Sequence, residues 1–241
     1  MTASSARRIA ALRFARAATR PQRARSATTI AYGTFGKWRG SEMDAAAIRR
    51  AFDERDAAAP WAPRDPVECD ALDLPALRAT SHLVVVTSSR FGMPPDNALR
   101  FARALLAAAD ADAAAGAPPR ARSLAHMQHA VFGNGDPRYF DTFMGWPRRL
   151  DALLAACGSR RFFARGEAGE PHAPTAADAC ACGAWAPAMW AAARVARAAD
   201  PPVAWDALWA DAPSPHHHDM PSWGLDDFDR YLAFLDRRRR P

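Results

Sequence analysis

Lysine is almost absent from this chain: Lys37 stands alone against 31 arginines, while alanine reaches 59 of 241 residues. That skew is a mark of GC-rich coding, so abundant arginine says little about partners. No run of 18 apolar residues occurs, which excludes a membrane-spanning helix. Four cysteines in a chain of this length make no disulfide framework. No Gly-x-Gly-x-x-Gly segment is present, so the usual dinucleotide-binding turn is missing. No internal repeat is found. What remains once alanine is set aside is about a quarter of the chain as larger apolar residues, enough for one compact core.

The net charge of +6 is distributed unevenly. Residues 1–27 hold seven arginines and no acid, and Arg237 to Arg240 add four more. Residues 28–236 hold all 26 acids beside 21 bases, a balance of −5. Basic charge therefore sits in the tails, which argues against a nucleic-acid-binding body. The body's mild acidity suits transient docking to a basic partner face. Residues 1–26, rich in Ala, Arg, Ser and Thr, read as a basic targeting or disordered segment. Their composition is that of a mitochondrial or plastid transit peptide; without such an address the protein is cytoplasmic. Arg13 and Arg16 break the only stretch that could serve as a secretory signal.

The body alternates strand and helix patterns. Thr28–Tyr32 reads as a first strand. Ser41 followed by Asp44 has the spacing of a capping box, opening a helix over 42–55 with Ile48 and Phe52 inward. Val67–Leu72 is a weak second strand. His82–Thr87, with its Leu-Val-Val-Val run, predicts a strand covered on both faces. Pro94-Pro95-Asp96-Asn97 stops the chain and caps the next helix. Leu124–Phe132 is a further strand, 138–156 a helix, Arg161–Ala164 a short strand, and 183–199 a helix. This order predicts a parallel sheet with helices on both faces. Ligands of such sheets lie at the carboxyl ends of the strands. Three Gly-bearing strand exits, 33–41, 88–97 and 133–140, should meet there.

These exits carry a resemblance. Ile30-Ala31-Tyr32-Gly33-Thr34, Thr87-Ser88-Ser89-Arg90-Phe91-Gly92-Met93-Pro94-Pro95-Asp96-Asn97-Ala98 and Ala130-Val131-Phe132-Gly133-Asn134-Gly135-Asp136-Pro137-Arg138-Tyr139 stand in order. From about Thr28 to Trp190 the chain resembles the flavodoxin-like FMN-binding family, and particularly the FMN domains of diflavin reductases of the cytochrome P450 reductase and sulfite reductase type. The second loop is one residue shorter than the family's, and Asp136 stands where Asn is usual. The resemblance implies an α/β fold: a flavodoxin-like three-layer sandwich with a five-stranded parallel sheet, order 2-1-3-4-5. The domain covers 27–200, and 201–241 form a C-terminal extension with a docked helix.

The resemblance also implies FMN as cofactor. Its contacts fall on Thr34, Phe35, Gly36, Lys37, Trp38, Arg39 and Ser41 in the first exit. In the second they fall on Ser88, Ser89, Arg90, Phe91 and Gly92, and in the third on Gly133, Asn134, Gly135, Asp136, Tyr139 and Phe140. Chemistry supports these types. A phosphate monoester wants N–H donors and hydroxyls at a helix N-terminus, where Thr34, Gly36 and Ser41 stand. A flat amphipathic ring wants aromatic neighbours, and the resemblance puts Tyr139 at one stacking position and Phe91 near the other. The first exit, Thr34-Phe35-Gly36-Lys37-Trp38-Arg39-Gly40-Ser41, is longer and bulkier than the family's phosphate loop. Either Lys37 and Arg39 neutralise the phosphate, or the loop no longer cradles FMN and Trp38 packs over the first helix.

Other features have bland readings. His172 with Cys180-Ala181-Cys182, and His216 to His218, fit no zinc spacing. No Ser/His/Asp set can be placed in one pocket from sequence, and no catalytic residue is assigned. Cys157 reads as core, and Trp185 and Trp190 as packing onto the body. The function so indicated is electron transfer. The implied partners are a separate flavin or iron–sulfur reductase and a redox acceptor protein, with no nucleic acid. Two other functions stay open: a cofactor-free interaction module on the same scaffold, and an FMN-dependent quinone or small-molecule reductase.

Overall fold

The structure, a computed structural model, describes residues 27–36, 39–169 and 182–198. Residues 1–26, read as a basic targeting or disordered segment, and the C-terminal extension over 201–241 lie outside the described residues. The strands are β1 (Ala27–Gly33), β2 (Val67–Glu68), β3 (Thr80–Ser89), β4 (Gln128–Gly135), β5 (Arg160–Arg161) and β6 (Gly166–Gly169). The helices are α1 (Gly40–Asp56), α2 (Leu74–Arg78), α3 (Leu99–Ala114), α4 (Gly145–Ala156) and α5 (Trp185–Ala198).

All pairings are parallel, and the order runs β2-β1-β3-β4. The far edge of β4 is shared: β5 pairs with Gln128 and His129, and β6 with Phe132 to Gly135. The expected fifth strand is therefore present but broken in two, and it brackets the predicted Arg161–Ala164 rather than matching it. Gly166 explains the position of the second piece. A Cβ there would stand 2.3 Å from the Phe132 ring, so only glycine lets the chain pass beside it.

The apolar run of β3 divides between two cores, as a strand covered on both faces must. Leu83 and Val85 face α2, α3 and α4, where Leu77, Phe101, Leu105, Trp146 and Leu150 are buried. Val84 and Val86 face α1 and α5, among Ile48, Phe52, Met189 and Trp190. The Trp190 indole N–H donates to the Ile48 carbonyl at 2.8 Å, tying α5 to α1. Trp185 donates to the Ala164 carbonyl at 2.9 Å. Cys157 is buried in the first core, which pushes its thiol pKa up to about 12.

Boundaries shift for local reasons. β4 starts at Gln128, four residues later than expected, because Leu124 is used as a core plug: its N–H donates to the Cys157 carbonyl at 2.8 Å. The predicted helix over 138–156 is two pieces. A 3₁₀ turn, Pro137–Thr142, is separated from α4 by Met144, whose backbone is left-handed at φ 58°.

A buried ionic cluster holds the broken strand to α4. The Asp151 carboxylate accepts from Arg161 at 2.9 and 2.6 Å and from Arg165 at 2.8 Å, and it faces His129 Nε2 at 3.2 Å. Burial alone would raise the Asp151 pKa, but hydrogen bonds from His129 and Arg161 outweigh it and hold the carboxyl well below the usual range. His129 Nδ1 meets Ser159 Oγ at 2.9 Å, which completes a Ser–His–Asp chain. Ser159 is only 4% exposed, and its hydroxyl also donates to the Met127 carbonyl at 3.2 Å. The chain is thus a packing network inside the domain, with no nucleophile offered to a substrate.

Candidate functional site

The carboxyl ends of β1, β3 and β4 lie side by side in register, Gly33 beside Thr87 and Thr87 beside Gly133. The three Gly-bearing exits therefore leave the sheet at one edge. Their polar groups knit them together. The Thr34 N–H donates to Asn97 Oδ1 at 2.8 Å, joining the first exit to the second. The Ser88 hydroxyl donates to the Gly33 carbonyl at 3.3 Å. Ser89 Oγ accepts the Trp146 backbone N–H at 3.2 Å, and Thr87 Oγ1 accepts the Trp146 indole N–H at 3.1 Å. Ser88 and Ser89 are thus buried and already engaged within the protein.

The helix start differs from the capping-box expectation. The Met43 N–H donates to the Arg39 carbonyl at 2.9 Å, so α1 begins at Gly40 with Arg39 as its N-cap and no side-chain cap. Ser41 is the second helical residue, 0% exposed, and its Oγ has no hydrogen-bond partner among the described residues. Asp44 serves β4 instead of the cap: its carboxylate accepts from Asn134 Nδ2 at 2.6 Å, both groups buried. Arg39 is exposed, and its guanidinium is paired with Glu42, which lowers the Glu42 pKa through that hydrogen bond. Lys37 and Trp38 lie outside the described residues. Thr34 is buried, Phe35 half-buried, and Gly36 exposed with a left-handed backbone at φ 47°.

In the second exit, Arg90 to Met93 form a tight turn. The Met93 N–H donates to the Arg90 carbonyl at 3.0 Å, and both central residues, Phe91 (φ 52°) and Gly92 (φ 73°), are left-handed. Phe91 is 58% exposed, with the Arg90 guanidinium 5.4 Å from its ring centroid. In the third exit, Gly133 and Gly135 are buried. A Cβ on Gly133 would come within 2.7 Å of Pro147, so α4 packing already requires glycine there. The Asp136 carboxylate takes both the backbone N–H and the guanidinium of Arg138. Tyr139 is half-buried, and the side chain of Phe140 is outside the described residues.

The two aromatic positions are brought together. The Phe91 and Tyr139 ring centroids are 4.8 Å apart at an interplanar angle of 68°, an edge-to-face contact. Trp146, Asn97, Thr87 and Asp44 build the site yet were not singled out as site residues. For Asp44 the sequence spacing pointed to the wrong partner. For Trp146, a tryptophan at a helix start gives no sign that its N–H reaches back to a strand end. Among the described residues no cluster of His, Cys, Asp and Glu could hold a metal ion.

Whether this edge suits FMN can be judged at its two ends. The orphaned Ser41 hydroxyl lies in the first turn of a 17-residue helix, whose leading N–H groups have no intrahelical partner; that donor set fits a phosphate monoester. At the ring end, Tyr139 and Phe91 have the right chemistry for a flat ring and are in contact with each other.

Comparison with known proteins agrees with this geometry. The family model described as flavodoxin matches residues 39–183. The chain is 38% identical over 85 residues to the bifunctional cytochrome P450/NADPH–P450 reductase 1 of Bacillus subtilis, covering 35% of this chain and 7% of that protein. It is 36% identical over 86 residues to the bifunctional cytochrome P450/NADPH–P450 reductase of Bacillus cereus, covering 36% and 7%. The match thus spans less than a tenth of the length of these curated relatives. Among solved structures, oxidised flavodoxin 2 from Bacillus cereus superposes with a TM-score of 0.51 at 19% identity, covering 69% of this chain and 98% of that one. A cysteine variant of the Pseudomonas aeruginosa flavodoxin does so with a TM-score of 0.51 at 21% identity, covering 70% and 99%. These two likenesses concern the fold.

Proposed function

The chain belongs to the flavodoxin family, whose cofactor is FMN, and from that premise we propose that it holds FMN at the carboxyl edge of its sheet and acts in electron transfer. The observation that carries the reading is the buried, unpartnered Ser41 hydroxyl in the first turn of α1, beside three strand exits that meet at one edge. On this reading Ser41, the leading N–H groups of α1 and Thr34 receive the phosphate. Tyr139 supplies an aromatic face for the ring. Trp146, through Thr87 and Ser89, fixes the second exit against α4 and holds the floor of the site rigid. When bound, FMN supplies the redox chemistry; binding, orientation and electrostatics belong to the protein.

The Arg39–Glu42 pair favours Ser41 and the backbone, rather than Arg39, as the phosphate's direct neighbours. A separate flavin or iron–sulfur reductase as donor and a redox protein as acceptor complete the proposal. The basic, acid-free residues 1–26 support delivery to a mitochondrion or plastid. Among the described residues no helix is long and apolar enough to cross a membrane.

The Phe91–Tyr139 contact favours a second reading, the cofactor-free interaction module. One experiment separates the two. The full chain is incubated with FMN and desalted, and visible absorption and flavin fluorescence of the protein fraction are recorded. Retained yellow colour with quenched fluorescence is expected; a folded, colourless protein would overturn the FMN reading.

A further inference from the structure

The ion pairs at the carboxyl edge all face the same way. Arg39 at the start of α1 pairs with Glu42, Arg100 in the first turn of α3 with Asp70, and Arg138 after β4 with Asp136. The three arginine side chains are 67, 81 and 71% exposed, and their carboxylate partners 28, 11 and 14%. Two of the carboxylates are turned inward by backbone: Asp70 accepts the Phe101 N–H and Asp136 the Arg138 N–H, each at 2.9 Å. A guanidinium has several N–H donors, and a carboxylate behind it leaves the outer ones to solvent. Arg90, in the second exit, is exposed as well. Each of the three exits thus contributes an exposed arginine, and Arg100 is a fourth. Against them stand the exposed acids Glu68 at the end of β2, Asp96 before α3, and Glu167, which Arg148 and Arg165 hold. Two of the three large hydrophobic residues exposed among the described ones lie at this edge too: Phe91 in the second exit and Met43 in the opening turn of α1.

We propose that this edge docks a redox protein whose own contact face is acidic, the exposed arginines meeting its carboxylates around an apolar centre of Phe91 and Met43. The partner's redox nature rests on the electron-transfer reading above; the sign of its charge rests on the ion pairs. The body's balance of −5 pointed instead to a basic partner face. Net charge governs the field at long range, but screening confines exposed charges to about 10 Å at 0.1 M salt, so in contact the outermost groups decide. Here those groups are guanidinium, because each paired carboxylate lies behind its arginine. Arginine suits such a face: it is weakly hydrated, forks onto carboxylates, and is enriched in protein interfaces. A basic partner would bring like charges together around the same apolar centre, which suppresses docking.

The test uses two one-electron protein oxidants, an acidic blue-copper protein of the plastocyanin type and the basic haem protein cytochrome c. Each is mixed in stopped flow with the reduced, FMN-loaded full chain. Every oxidant molecule takes one electron, so two are reduced and two protons released per flavin. Added salt is expected to slow reduction of the copper protein and not that of cytochrome c. At low salt Arg100→Gln and Arg138→Gln should each slow the copper protein about threefold, the weight of one charge near an anionic face in water. Arg55→Gln removes the same charge from the last turn of α1, at the opposite end of the sheet, and should leave the rate unchanged. The opposite salt pattern, unchanged rates in the edge variants, or equal slowing by Arg55→Gln would each overturn the proposal. A second measurement involves no electron flow: an NMR titration of the isotope-labelled, oxidised full chain by the cuprous copper protein, with and without FMN. Shifts should centre on Met43, Phe91, Arg100 and Arg138; shifts centred elsewhere, or none, would overturn the docking face. If the folded chain retains no FMN, neither oxidant is reduced and the electron-transfer reading falls, while the titration of the FMN-free chain still decides the docking face.

Discussion

Ser41 shows how much one hydroxyl can reveal. A buried polar group without a partner costs about 1–3 kcal/mol, so its persistence calls for a ligand or a compensating role. Its place in the first turn of α1 gives that ligand a charge, because the helix start is positive and rich in free N–H groups. Phosphate satisfies both demands. Ser41→Ala should weaken FMN binding about tenfold, the worth of one hydrogen bond to a charged group. Riboflavin, which has the ring and no phosphate, should bind the variant and the wild type alike. The apo variant should be as stable as the wild type or about 1 kcal/mol more so, since an unsatisfied group has been removed. Fluorescence titration with the two flavins and a urea melt of the apo forms check all three. Equal loss of affinity for FMN and riboflavin would show that Ser41 shapes the site generally rather than meeting the phosphate.

At the scale of elements, the broken outer strand depends on α4. β5 and β6 contribute two and four residues to the sheet, too few ladder bonds to fix the edge alone. Asp151 does so from the helix, gathering Arg161 of β5, Arg165 from the segment between β5 and β6, and His129 of β4. Arg148 of α4 and Arg165 then share Glu167 of β6 at 2.7 and 2.8 Å. Asp151→Asn should cost about 3 kcal/mol, because it leaves the partners of a buried carboxylate uncompensated. The pH dependence has a definite sign. The folded-state pKa of Asp151 is depressed, so its stabilisation is complete above the unfolded-state value near 3.8 and is lost as pH falls below it. Urea melts of wild type and variant should therefore differ most at neutral pH, and the difference should narrow as pH falls below 3.8 towards the depressed folded-state value. A constant difference across that range would remove Asp151 from the account. This cluster also marks the boundary of what sequence discloses. β3 was legible because Leu83 to Val86 face two cores, and local composition alone records that burial. The fifth strand was misplaced because its position is set by the Phe132 ring beside Gly166 and by Asp151 on another element. Likewise the three exits could be put at one sheet edge from topology, whereas the Phe91–Tyr139 contact depends on a backbone conformation that residue 91 does not advertise. The capping box failed for a local reason: Arg39 and Gly40 start the helix two residues early, and Asp44 finds Asn134.

For the molecule as a whole, the question is where its electrons come from. Hydride transfer from a nicotinamide needs a place for the dinucleotide's pyrophosphate, commonly a Gly-x-Gly-x-x-Gly turn at a helix start. This sequence has no such segment, and the three exits at the carboxyl edge of its sheet lead into α1, α3 and α4 in turn. The proposed FMN site uses the start of α1 for its own phosphate. The matched relatives from Bacillus subtilis and Bacillus cereus are named as fusions with an NADPH–P450 reductase, and the match reaches only 7% of their length. On the proposed electron-transfer reading, this chain would accept electrons that a separate module has taken from the nicotinamide. The FMN-loaded chain mixed with NADPH in the absence of oxygen should stay oxidised, its flavin absorbance unchanged over minutes. Adding a purified NADPH-dependent flavin reductase module in catalytic amount should bleach it. Raised ionic strength should slow that bleaching if charged faces guide the encounter, since exposed charges are screened within about 10 Å at 0.1 M salt. Direct bleaching by NADPH alone would instead make the chain a reductase in its own right, with a substrate site over the ring, and would move the quinone or small-molecule reductase reading to the front.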